Sequence, residues 1–308
     1  MKKAILCTML IVSAFACKKL DDVKSPEFNV TTEKTTYKVN EQVDFNFTGD
    51  VDIISIFSGT IGNDYDHTDG RIMTSKFLIN FETHTLDGTQ TNQIAILMSK
   101  DFNKDYSING VNQANWIDVS SKFRLATPAD NRAWVNSGFG DISEYLDLQN
   151  PETIYLAVKH TVRNQNLYGT GNLNRVRNFK LLASNDLGET SVFTHTIANW
   201  NLFSTPNKMP NRASLEASQM TLRQSAGTAY AAENTEDWVV SVPINITPSI
   251  DMGPDLAIGV KNLAEKMPKS YAKTFTKAGT YNVVFKAINQ NIEGRKEIIK
   301  QIKIIIED

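Results

Sequence analysis

The closing stretch AGTYNVVFKAINQNIEGRKEIIKQIKIIIED, residues 278–308, alternates apolar and polar residues on either side of the turn NQNIEGR. Period-two alternation around a Gly/Asn turn predicts two antiparallel strands, and a lone hairpin cannot cover a core. The other end of the chain has the same deficit. Residues 37–39, 43–47 and 52–57 read as strands, and so few strands cannot close both faces of a sandwich. The two ends are therefore expected to complete one another, as one sandwich built from 27–72 plus 248–308. A second domain, 73–247, is expected to be inserted between them, which is tolerated where the cut ends lie close together at the surface.

The insert is expected to be β-structured as well. Residues 77–81, 93–98, 153–162, 176–183, 191–197 and 238–246 alternate or run apolar between Gly, Asn, Asp and Pro turns. Helical periodicity is weak and confined to 213–225 and 256–266. Many short strands with turn residues between them predict an all-β protein made of sandwiches.

The chain opens MKKAILCTMLIVSAFACKKLDD, with two lysines, an apolar run and then a small residue followed by Cys17. That order is an export signal, too short to span a bilayer, and its end resembles a bacterial lipoprotein box. Residues 1–16 are expected to be a lipoprotein signal peptide and Cys17 the lipidated residue. Residues 17–26 would form the tether. Cys7 lies inside the signal, so the exported chain would keep one thiol and form no internal disulfide. Without residues 1–16 the chain has 308 − 16 = 292 residues, with 32 − 2 = 30 basic against 34 acidic residues. It has no basic block, which argues against nucleic acid and leaves the lipid as the membrane attachment.

GDVDIISIFSGTIGNDY resembles the signature of the domain-of-unknown-function 5017 family through Asp50, Asp52, Ile54, Phe57, Ser58 and Gly59. Thr60 stands where that pattern commonly has an acid. NWIDVSSKFRLAT, WVNSGFGDISEYL, TIYLAVKHT and RVRNFKLLAS follow in the family's order. The resemblance implies a sandwich similar to polycystic-kidney-disease and immunoglobulin domains, with an inserted galactose-binding-like jelly roll. It also implies a lipoprotein of the outer membrane, facing the cell exterior, that assists a starch-utilisation-type polysaccharide importer. The expected partners are thus a polysaccharide or oligosaccharide and the importer itself.

The acidic stretch FNFTGDVDIISIFSGTIGNDYDHTDGR invites a calcium reading. Asp64, Asp66 and Asp69 depart from an EF-hand, since the glycine comes one place late and Ser75 holds the twelfth position. Asp and Asn favour turns by bonding their own backbone, so a structural joint is the leading reading and a loose calcium site the alternative. His67, His84, His160 and His195 lack paired metal-ligand spacing, and no G-x-S-x-G elbow is present. No cofactor is expected.

Sugars offer flat C–H faces rimmed by hydroxyls, which suit exposed aromatic planes beside amides and charged groups. Trp200, Trp116, Trp134 and Tyr168 are the candidate platforms, and Arg175 and Arg177 share one strand face beside them. The expected function is non-catalytic glycan binding. A structural or adhesive module binding a protein is the alternative, and a glycoside hydrolase the third.

Overall fold

The computed structural model describes residues 22–130 and 132–308; Cys17 and the expected signal lie outside them. The fold is all-β. The chain forms two compact units, residues up to 71 with 251–308, and residues 72–250, against expected boundaries at 72/73 and 247/248.

In the first unit, among the described residues, one sheet runs in the order Glu27–Thr31, Gln42–Asp50, Ser270–Thr274. The other runs Thr36–Lys38, Gly294–Glu307, Gly279–Asn291, Ile53–Phe57, Ile258–Lys261. Alternation decides which side faces in: Val43, Phe45 and Phe47 are buried while Gln42, Asp44 and Asn46 between them are exposed. Phe45 and Phe47 from one sheet each meet Phe285 of the other at 5.2 Å, and Phe28 closes on Phe47 at 5.3 Å. Such ring pairs add roughly 0.5–1.5 kcal/mol each beyond burial. The closing hairpin pairs from Gly279 with Ile306 to Asn291 with Gly294, and Tyr37 lies beside Ile306 in a parallel pairing.

The Asp-rich stretch pins the point where the chain leaves this unit to the point where it returns. Arg71 and residues 252–253 exchange backbone hydrogen bonds, Arg71 N to Gly253 O at 2.9 Å and Met252 N to Arg71 O at 2.8 Å. The Arg71 guanidinium reaches Asp255 at 2.8 Å and Asp64 at 3.3 Å, and the Asp64 amide donates to Asp255. The bond from Arg71 holds the Asp255 carboxyl below its usual range. Buried Asn63 accepts from Ser58 and donates to the carbonyls of Ile56 and Leu256. Asp64 also caps the short turn Tyr65–His67 by accepting from the Asp66 amide. Asp64→Ala removes that cap and one partner of Arg71, and is expected to lower stability by about 1 kcal/mol in urea unfolding. An unchanged midpoint would show that the stretch is decorative.

The second unit also has two sheets facing one another. Among the described residues the larger runs Gly140–Asp141, Lys76–Leu86, Leu173–Asn185, Gln219–Arg223, Ala213–Leu215, with Gly188–Thr194 and Val135–Asn136 attached to its long strands. The smaller runs Trp200–Ser204, Thr235–Ser241, Glu152–Val162, Ile94–Ser99, Ile117–Asp118, with Ile244–Ile246 continuing beside Glu152–Val162. Phe77, Ile79, Phe81, Val176, Phe179 and Leu181 of the larger sheet pack against Ile96, Met98, Leu156, Val158 and Val239 of the smaller. The smaller sheet is apolar on its outer face too. There Leu97, Tyr155, Ala157, Trp238 and Val240 are covered by the helix Ile108–Gln113 and its flanks, with Val111 and Phe102 buried.

Both expected helical segments are strands. In 213–225 Met220 and Leu222 are fully buried at a spacing of two, and pairing with Leu173–Asn185 satisfies the backbone, so sheet register overrides a weak helical pattern. In 256–266 the strand Ile258–Lys261 extends the first unit's sheet beside Ile53–Phe57. The strand expected over 238–246 breaks between Ser241 and Ile244, at Pro243, which has no N–H for a ladder.

Candidate functional site

The six expected ligand contacts do not converge. Trp200 is 4% exposed, set edge-on to Phe179 and Phe193 at 5.2 Å each inside the second unit. This overturns its expected exposure: the flanking Asn199 and Asn201 suggest a loop, but strand alternation turns the indole inward. Trp116 is half-buried against Trp238 and Phe102, and its Nε1–H donates to Val111 O at 2.9 Å. It serves the cover over the smaller sheet. Tyr168 is 53% exposed at the end of the one-turn helix Gln165–Tyr168, which Asn164 caps, with the Arg163 guanidinium 4.6 Å from its ring.

Trp134 and Arg177 do meet, on the outer face of the larger sheet, and Arg175 shares that face. The Arg177 guanidinium lies 3.8 Å from the Trp134 ring centre and donates to Glu82, while His84 stacks on Trp134 at 4.8 Å. Arg175 stands opposite His84 across the strands. With a guanidinium and an imidazole already packed on it, Trp134 is a poor platform for a sugar.

A cleft of about 430 Å³ opens elsewhere in this unit, within the size range of small-molecule sites. Most of one wall is the segment NWIDVSSKFRLAT and the proline after it. Ile117 and Asp118 pair with Met98 and Leu97, and fully buried Val119 anchors the chain, its amide donating to Ile96 O. Ser120 then turns back, its Oγ accepting from Ile96 N at 2.9 Å and its amide donating to Asp118 Oδ1 at 2.8 Å. Phe123 tilts onto Phe81 at 4.9 Å and fits only because residue 140 is glycine: a Cβ there would stand 2.2 Å from the phenyl ring. Thr85 Oγ1 lies 3.0 Å from Ala126 O and 2.8 Å from Asn174 Oδ1, joining the walls.

Behind the cleft lies a buried set of amides. Gln93 Oε1 accepts from both the backbone and side-chain N–H groups of Asn172, at 2.8 and 2.6 Å. Gln90 Nε2 donates to Arg163 O and Gly169 O, which fastens both ends of the one-turn helix Gln165–Tyr168. Among the described residues Asn172 Oδ1 finds no partner, while the bonds that do form tie the strands behind the cleft together before anything binds. Half-buried Ile94, Phe123 and Leu125 give the lining apolar surface, whereas Thr91, Asn92, Ser120, Ser121 and Thr127 give hydroxyls and an amide. Sequence reasoning did not single out these residues. The available signal was that most of one wall lies in the quoted segment NWIDVSSKFRLAT.

A second polar cluster is sealed inside the unit. His160 Nδ1 lies 2.9 Å from Asp237 Oδ2, Ser204 Oγ–H donates to Asp237 Oδ1 at 2.7 Å, and Lys208 Nζ contacts Oδ2. The serine bonds the carboxylate rather than the imidazole, so the set lacks the order of a nucleophilic triad. Burial pushes His160 below its ordinary 6.5, against the pull of Asp237. Burial likewise lowers Lys208; it would raise Asp237, but the bond from His160 and the charge of Lys208 hold that carboxyl down. A histidine depressed on folding contributes stability above the unfolded value and loses it as pH falls through 6.5 toward the folded one. Unfolding midpoints are therefore expected to drop below about pH 6.5, and less steeply in His160→Gln. A flat profile would refute this.

Among the described residues no three His, Cys, Asp or Glu side chains are placed to hold a metal ion. Asp64 is engaged with Arg71, while Asp66 and Asp69 are exposed. Among the described residues no helix is long and apolar enough to cross a membrane. No curated protein and no solved structure matches the chain. The pattern of a domain of unknown function, DUF5017, matches residues 16–200, which include the wall segment, the buried amides and the four family-like stretches of the second unit. The chain belongs to the DUF5017 family.

Proposed function

We propose that this protein is a non-catalytic glycan-binding lipoprotein, anchored through Cys17 to the outer membrane and facing outward, that delivers saccharide to a polysaccharide importer. The observation that carries the reading is the cleft, where apolar side chains and neutral hydroxyl and amide groups share one preorganised lining. A sugar would lay its C–H face on Phe123, Leu125 and Ile94 while Ser120, Ser121, Thr127 and Asn92 exchange hydrogen bonds with its hydroxyls. Each exchange replaces a bond to water, so affinity would be modest. Hydrolysis needs paired carboxylates, and among the described residues the lining holds one, Asp118.

The test is calorimetry or gel retardation of residues 18–308 with plant, host and microbial polysaccharides. Ser121 is exposed, so Ser121→Trp should fill the cleft without disturbing the fold. Saturable binding lost in that variant is the expected result. Retention on no polymer, or binding indifferent to Ser121→Trp, would sink the cleft reading. It would also move weight to a protein partner, for which exposed Leu167 and Tyr168, adjacent in the one-turn helix Gln165–Tyr168, are the supporting observation.

A further inference from the structure

The charge of the cleft goes beyond the presence of a sugar, and resting on the glycan reading it names a class. Among the described residues Asp118 is the one ionisable group in the lining, which holds no lysine, arginine or histidine. The basic residues of the same wall segment are committed elsewhere, Lys122 to Glu144 and Arg124 to Asp130, both at 2.6 Å. Asp118 itself is exposed, and among the described residues it has no ion-pair partner. Its Oδ1 takes the Ser120 amide at 2.8 Å, which leaves the second carboxylate oxygen to accept from a ligand.

We propose that the cleft selects uncharged sugars over uronic or sulfated ones, and that Asp118 is the residue setting the preference. A hydroxyl donating to an ionised carboxylate makes a charge-assisted bond, stronger than one to a neutral acceptor. A carboxylate or sulfate on the sugar would instead meet Asp118 as a like charge, in a lining with no cation to neutralise either group. Like charges at a shared site repel, and desolvating them unpaired costs more still. Apolar contact with Phe123 and hydroxyl contact with Ser121 would be the same for both sugars, so the discrimination falls on this one side chain.

The experiment uses residues 18–308 and matched pairs of oligosaccharides: glucan, galactan and mannan, each beside the same oligomer oxidised at its primary alcohols to the uronate. For any oligomer that binds, the oxidised form is expected to bind at least about tenfold more weakly at low salt, with the gap narrowing at high salt as charge is screened. Asp118→Asn keeps an oxygen for the Ser120 amide, so the turn survives. In that variant the gap should collapse and lose its salt dependence, with neutral binding weakened only several-fold. A merely structural role for Asp118 would lower both affinities and leave their ratio unchanged. Equal or tighter binding of the oxidised oligomer, or a gap that persists in Asp118→Asn, overturns the inference while the glycan reading stands. Failure of every unoxidised oligomer to bind overturns both.

Discussion

Asp237→Asn is expected to destabilise the second unit by about 3–5 kcal/mol. The Asp237 side chain is fully buried and accepts from Ser204 and His160, with the Lys208 ammonium against it, itself almost wholly enclosed. An amide keeps the shape but removes the countercharge, so Lys208 must either hold an unpaired charge away from water or give up its proton. Because burial already depresses Lys208, the variant should recover stability as pH rises toward the lysine's ordinary range, a trend opposite to one from broken packing. Adding Lys208→Met should restore more than half of the loss. All four tryptophans lie in this unit, so their fluorescence in urea reports it directly. A loss below about 1 kcal/mol would mean that the cluster is open to water.

Trp200→Ala should cost a similar amount, about 3–5 kcal/mol, through the cavity it leaves between Phe179 and Phe193. The same variant separates a core role from a binding role. Kept folded at low temperature, it should retain any saccharide that the cleft binds, since Trp200 is not part of the lining. A variant of normal stability that no longer bound sugar would return Trp200 to the list of contacts.

The strands were the legible part, because a pattern of two needs only neighbouring residues. The closing hairpin and the run around Phe45 carry their own alternation, and the core strand Glu152–Val162 shows as an unbroken apolar run because both its faces are covered. The side chains that matter for a site were less so, because their neighbours come from far along the chain. Asp64 and Arg71 read as a loop until Asp255 joins them, 184 residues beyond Arg71. Trp134 looked free because Arg177 and His84, which cover it, arrive on other strands. The cleft draws Thr85, Gln93, Asp118 and Asn174 from separate stretches, and only sheet register brings them together. Trp200 failed differently: polar neighbours on a half-buried strand say where the next residues point, and that is the opposite side.

The parallel pairing of Tyr37 with Ile306 has a consequence in time. At ordinary rates of synthesis the strand Thr36–Lys38 exists on the order of tens of seconds before its partner is made. The second unit has all of its residues by position 250 and can fold as soon as they are free, whereas the first must wait for Ile305 to Glu307. Through that interval Phe45 and Phe47 have no Phe285 to meet. A chain lacking the strand Gly294–Glu307 would thus keep a middle that can be sound and a beginning that stays sticky.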